Sequence, residues 1–249
     1  MLRLAVKNGW KFGIFSPENG KTEIHLQRLC EILVGKPLLP TYNNQMSAIE
    51  MNDAINWLDE HVYFIRPENE DFSLHNILEL TTYYVRKYGI KGLIIDPWNT
   101  VEHEFKGESE TEYTKKVLNQ LTYFERTHGL HLFLVPHPTK IKKRKDGDKY
   151  DIPTLYDIAG SANWYNKAEL GITVYREFSS DFKTTKHTAV FIQKVKHRFM
   201  GHTGMVKFQF DQTCQRYNEE KDFFQGSMLQ LELDNPDYFE DTVYEDPEF

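Results

Sequence analysis

Short apolar runs alternate along this chain with longer stretches of helical period. Lys11 to Phe15 reads as a strand closed by a Ser-Pro-Glu-Asn-Gly turn. Leu26, Leu29, Cys30 and Leu33 then recur at i, i+3, i+4 and i+7, the mark of an amphipathic helix. A second helix is predicted over Ser47 to Glu60, followed by a strand at Val62 to Ile65. Leu74, Ile77, Leu78, Thr81 and Val85 form a helical stripe that stops at Gly89, and Gly92-Leu-Ile-Ile-Asp96 is an apolar strand closed by a carboxylate. Strands of a parallel sheet covered on both faces have this continuous apolar character. Tyr113, Val117, Leu121 and Phe124 share the face of another helix, and Leu132 to Val135 is the next buried strand. Beyond it the segments Leu170–Tyr175, Thr188–Lys194, Met205–Phe210 and Cys214–Tyr217 alternate more loosely, as antiparallel strands added at the edge of a parallel sheet do. The class is α/β, a mostly parallel sheet flanked by helices with antiparallel edge strands at the C-terminal end.

The 249 residues suit one large domain, and 40% hydrophobic with 27% charged residues excludes a collagen, a coiled coil or a disordered polymer. With two cysteines and no long apolar run, neither a disulfide framework nor a membrane span is expected, and a cytoplasmic, reducing compartment is. The net charge of -7 hides an asymmetry. Residues 219–249 hold eleven acids against Lys221, a balance of -10, so subtraction leaves the body, residues 1–218, at +3. The expected organisation is therefore a core over 1–218 and an acidic tail over 219–249, and the total charge says nothing against a polyanionic partner.

Ligands of open α/β sheets bind at the carboxyl ends of the parallel strands. Those ends carry Glu18, Asp96 and His137. An acid that follows an apolar strand, as Asp96 does, suits Mg²⁺ and phosphate chemistry, because a hard cation needs a carboxylate, or its bound water, at a fixed point. Taken singly, each is equally a turn acid or a loop histidine. His25, His61, His75, His128, His131, His187 and His202 read as surface or packing residues, and Trp10, Trp57, Trp98 and Trp164 as core. A third feature is Thr139-Lys-Ile-Lys-Lys-Arg-Lys-Asp-Gly-Asp-Lys149, whose Lys140, Lys142, Lys143, Arg144, Lys145 and Lys149 suit sequence-independent contact with a phosphate backbone.

In order, these segments resemble the RecA-fold motor domain of ring-shaped replicative helicases, the DnaB and Twinkle family, phage primase-helicases included. Phe15-Ser-Pro-Glu18 looks like the segment whose glutamate is the general base, Leu93-Ile-Ile-Asp96 like Walker B, and Val135-Pro-His137 like the strand-end switch residue. Asp157-Ile-Ala-Gly-Ser-Ala162, continuing to Glu169, is similar to the family's Asp-x-x-Gly-Ser block, with glutamate at 169 where aspartate is usual. Lys194-Val-Lys-His-Arg198-Phe-Met-Gly201-His-Thr-Gly204 looks like the hairpin that gives an arginine finger to the neighbouring subunit.

The resemblance implies an ATP-dependent DNA helicase motor with ATP, or another nucleoside triphosphate, and Mg²⁺ as cofactors. Asp96 would hold the metal, Glu18 would act on water, His137 would sense the terminal phosphate and Arg198 would act in trans. Lys196 is a second candidate finger, since two residues along an extended strand return to the same face. Single-stranded DNA, a hexameric ring and a primase are the implied partners. The family's phosphate loop, G-x-x-x-x-G-K-[ST], is matched nowhere. Met1 to Gly9 fits the last turns of the helix that such a loop opens, so the expectation is a chain lacking that first strand and loop, and a poor ATPase by itself. A catalytically dead module of the same fold, binding nucleic acid or joining a ring, is the alternative.

Overall fold

A computed structural model describes residues 1–39, 44–103, 107–139, 150–159, 161–178 and 184–219. The six cations between Lys140 and Lys149 and the acidic segment beyond Glu219 lie outside them. Strands β1 (Phe12–Phe15), β2 (Val62–Phe64), β3 (Gly92–Ile95) and β4 (His131–Leu134) form a parallel sheet in the order β2-β1-β3-β4. The register aligns Phe12, Gly92 and His131 at its amino end and Phe15, Ile95 and Leu134 at its carboxyl end.

Alternation along the strands divides the interior in two. Ile14 and Val62 face a core built with α1 (Leu2–Asn8), α2 (Thr22–Val34) and α3 (Ala48–His61), where Leu33, Ala54 and Leu58 are fully buried. Phe15, Leu93 and Ile95 face the opposite core, with Ile77 of α4 (Leu74–Tyr88), Leu121 of α5 (Glu110–His128) and Trp164 of α6 (Ser161–Lys167). Helices on both faces explain why these strands are apolar without a polar side. Ser47 and Ser109 start α3 and α5 with capping boxes closed by Glu50 and Glu112, which satisfy amides that the first turn leaves without partners.

The C-terminal strands are antiparallel, as expected, and form a sheet of their own. β5 (Leu170–Phe178), β6 (Thr184–Val195), β7 (Gly204–Asp211) and β8 (Arg216–Glu219) pair only with one another, in an antiparallel sheet ordered β5-β6-β7-β8. Among the described residues they are not hydrogen-bonded onto the parallel sheet. Consequently β4 and β5 are both edge strands, and their apolar residues are less covered than their sequence predicts. All of β4 is half-buried, and Ile172 and Val174 of β5 are 58% and 65% exposed. No helix of the described residues is long and apolar enough to cross a membrane.

Candidate active site

Buried β1 ends at Phe15, and Pro17 opens a one-turn 3-10 helix, Pro17–Asn19, that lifts Glu18 to the surface. β3 ends one residue before half-buried Asp96, whose amide donates to the Phe15 carbonyl at 2.9 Å, so the Walker B-like carboxylate stands beside the end of β1. The next turn, Trp98–Thr100, lies across both neighbours. Thr100 Oγ1 donates to Glu18 Oε1 at 2.7 Å on the β1 side. On the β4 side, Asn99 Oδ1 accepts from the His137 amide at 2.7 Å and the Trp98 amide donates to the Val135 carbonyl at 3.0 Å. Glu18, Asp96 and His137, far apart in sequence, therefore occupy adjoining strand tips at one end of the sheet.

The sequence gives no signal for the bridging Asn99 and Thr100, because polar residues after an apolar strand are common in turns. Trp98 and Trp164 are core, as expected, in an edge-to-face pair at 5.9 Å. His25, read as a surface or packing residue, packs. It is half-buried, packs on Phe64 at 5.1 Å, and its pKa is lowered by burial and by the Arg28 and Arg66 charges against the opposing pull of Asp96. With Phe15, Phe64, Arg66, Glu70 and Phe72 it lines a cavity of about 280 Å³ that opens beside the Glu18 turn. The Asp157 block joins the same end of the sheet, since the Asp157 carbonyl accepts from the Thr139 amide at 2.6 Å and from Thr139 Oγ1 at 2.7 Å.

The basic hairpin is elsewhere. Lys196 Nζ pairs with Glu169 Oε1 at 3.2 Å, and its amide donates to the Glu169 carbonyl at 2.9 Å. That pair adjoins the last turn of α5, where burial and the Glu169 carboxylate raise the pKa of Glu125. The Glu169 charge is also felt by His131, the first residue of β4. The hairpin thus rises from the amino end of the parallel sheet, opposite the three strand tips. Arg198 lies in a 3-10 turn, Arg198–Met200, after β6 has ended at Val195. The argument that placed Lys196 and Arg198 on one strand face fails, because strand geometry does not extend to them; Lys196 is engaged within its own chain and Arg198 is exposed.

Among the described residues no three His, Cys, Asp or Glu side chains are grouped to hold a metal. One strand-tip carboxylate, Asp96, suits Mg²⁺ that arrives with a nucleotide, since that ion keeps several waters and takes one or two protein carboxylates.

A parallel sheet covered on both faces, with two acids and an imidazole on adjoining tips, defines the RecA-like ATPase class of α/β fold. No family model matches the chain. It is 32% identical over 217 residues to the Twinkle homolog protein, chloroplastic/mitochondrial, of Arabidopsis thaliana, a match covering 85% of this chain and 30% of that protein. The ATPase domain of G40P superposes with a TM-score of 0.69 at 16% identity, over 87% of this chain and 77% of that one. A DnaB-like replicative helicase described with its interactions with primase gives 0.65 at 17% identity, over 86% of this chain and 51% of the other. The chain belongs to the DnaB/Twinkle type of RecA-fold helicase domains and spans about a third of the length of the curated relative it matches.

Proposed function

We propose that this domain is the motor of a ring-forming, ATP-dependent DNA helicase. The placement of Glu18, Asp96 and His137 on adjoining strand tips, tied through Thr100 and Asn99, carries the reading. Bound Mg²⁺ would offset charge on the transferred phosphoryl group. Asp96 would hold that ion through its waters, and Glu18, oriented by Thr100, would position or deprotonate the attacking water. The His137 main chain follows the Asn99 turn, so a shift at the phosphate end would reach the 140–149 segment in two residues. Arg198 stands near the amino end of the parallel sheet, opposite the end that carries its own Glu18, which supports a finger given to a neighbouring copy.

The 249 residues hold no G-x-x-x-x-G-K-[ST] loop, so in this reading the grip on the phosphates comes from residues outside them. The edge strands β4 and β5 each lack a partner strand on one side among the described residues and would each accept an added strand. Without that grip the isolated chain should hydrolyse ATP poorly. A second reading, a non-hydrolysing ring or nucleic-acid-binding module, rests on the same motif absence.

The test is subunit mixing in a longer protein, this chain extended by a G-x-x-x-x-G-K-[ST] segment. Glu18→Gln and Arg198→Ala should each lower turnover by about 10³ or more, with nucleotide affinity less affected. Mixed one to one, the two variants should regain part of the activity, since some interfaces then combine an intact Glu18 with an intact Arg198. No regain would remove the finger in trans. If Lys140, Lys142, Lys143, Arg144, Lys145 and Lys149 all meet single-stranded DNA, log K against log salt should have a slope of about -4 per engaged subunit. A slope unchanged by neutralising them would exclude that contact.

A further inference from the structure

Two features at opposite ends of the molecule are left over by the motor reading. Phe199 is 87% exposed at the tip of the β6–β7 hairpin, held outward with its ring stacked on His197 at 5.4 Å and 14°. An aromatic ring exposed on this scale next to a candidate finger is the kind of anchor that interface hot spots use. The other feature is the cavity of about 280 Å³ between the carboxyl ends of β1 and β2. Its walls are two aromatic pairs, Phe64 with His25 at 5.1 Å and Phe15 edge-on to Phe72 at 5.4 Å. A void of about 150 Å³ already accepts a benzene ring, so one benzyl side chain fits with room to spare.

Phe199 cannot fill the cavity of its own chain. Its hairpin springs from Lys196 and Glu169, beside the last turn of α5 and the start of β4, whereas the cavity opens at the other end of the sheet. α5, with 19 residues, runs about 28 Å between those ends. Charge favours a second copy. Glu70 and Arg66 line the cavity, and next to lining residues in sequence stand the exposed acids Glu18, Glu68 and Asp71 and the exposed Lys21, with Arg28 acting on His25, a balance of four acids against three cations; the incoming hairpin brings Arg198 one residue from Phe199. Reach agrees as well. Adjacent Cα atoms are about 3.8 Å apart, so an Arg198 directed at Glu18 and Asp96 brings the Phe199 backbone within about one arginine side-chain length of the Glu18 turn, beside which the cavity opens.

Resting on the motor reading for the direction of Arg198, we propose that Phe199 of one copy seats in the cavity between β1 and β2 of its neighbour and fixes the approach of Arg198 to Glu18. Phe199 is then a positioning residue. It adds apolar burial where Arg198 supplies charge, and it makes the finger's aim depend on assembly.

The experiment uses this chain with benzoylphenylalanine at position 199, mixed with an isotopically heavy copy and irradiated. Adducts between light and heavy chains at peptides 16–20 or 64–72 are expected; adducts confined to one chain, or none, overturn the proposal. In sedimentation, Phe199→Asp should weaken self-association by about tenfold or more and Phe199→Leu should restore most of it. His25→Trp, which fills the cavity from inside, should weaken it without adding to Phe199→Asp. Equal association of parent and Phe199→Asp, or a parent that stays monomeric, would sink the contact. Hydrolysis in the longer protein separates the two ideas: an intermolecular adduct with no recovery on subunit mixing keeps the contact and removes the finger. Full recovery from rings built with Phe199→Asp keeps the finger and removes the contact.

Discussion

Thr100 holds Glu18 by one hydrogen bond across 82 positions of sequence, at 2.7 Å and on the surface. A bond so exposed adds little to stability, and its value lies in aim. Thr100→Val in the longer protein should therefore lower kcat by about tenfold with KM nearly unchanged, and thermal unfolding should move by no more than a degree or two. Equal loss in Glu18→Gln and in the Glu18→Gln, Thr100→Val double variant would show that Thr100 acts through Glu18. Titration is a second property of single residues. Burial lowers the pKa of His25, His103 and His131 below the ordinary value of 6.5. Their neutral forms favour the fold, so the contribution is complete above pH 6.5 and is lost as pH falls from there through the folded values. Glu125, raised from 4.5 by burial first and then by Glu169, works in the opposite sense. Glu50, Glu112 and Glu169 are lowered from the same 4.5 and act only in more acid solution. Urea unfolding should consequently give a smaller free energy at pH 5.5 than at pH 7.5, and replacing the three histidines by Asn should flatten that difference.

At the scale of elements, β1 and β3 touch through a glycine. A Cβ placed on Gly92 would lie 2.3 Å from the ring of Phe12, which is fully buried. Gly92→Ala should destabilise by about 1–3 kcal/mol from overpacking, and adding Phe12→Leu should recover part of that loss by withdrawing the ring. Without such recovery the clash would not be the cause. Helices were the most legible elements, because the Leu74 to Val85 stripe is a local signal that packing did not override. β4 was legible as a strand but not as an edge. Its apolar run is what a central strand shows, and position within a sheet is a relation between segments that no single run encodes.

Over the whole molecule, a buried cation ties the antiparallel sheet to α2, one of the helices that cover the parallel sheet. Arg216 of β8 is 3% exposed and donates to the carbonyls of Ile32 at 2.6 Å and Leu33 at 3.0 Å, at the C-terminal end of α2. These are carbonyls that the last turn of a helix leaves without internal partners, and a cation there also suits the helix dipole. Gln215 adds a bond of 2.9 Å to buried Glu31, which accepts in addition from the Leu38 amide at 3.0 Å. Because α2 follows the Glu18 turn directly, the same contacts set the antiparallel sheet, and the hairpin it carries, relative to that turn. Arg216→Ala should destabilise by about 2–4 kcal/mol, leaving buried carbonyls without a donor, and should broaden the unfolding transition as the sheets separate. A sharp transition with unchanged midpoint would show that the sheets are held by other means.

Periodicity and local turn chemistry, read from the letters alone, determined the run of helices and strands, the α/β class and the three polar residues that close apolar strands, because each depends on neighbours a few positions away. The order of motifs along the chain added the resemblance to ring helicases. Tertiary structure decided which strands adjoin, that Asn99 and Thr100 bridge the tips, that Lys196 is engaged by Glu169 while Arg198 stands at the far end, and that Phe199, stacked on His197, is exposed far from an aromatic cavity of its own chain. All of these are distances between residues remote in sequence, set by packing two cores around one sheet, and no local pattern carries them.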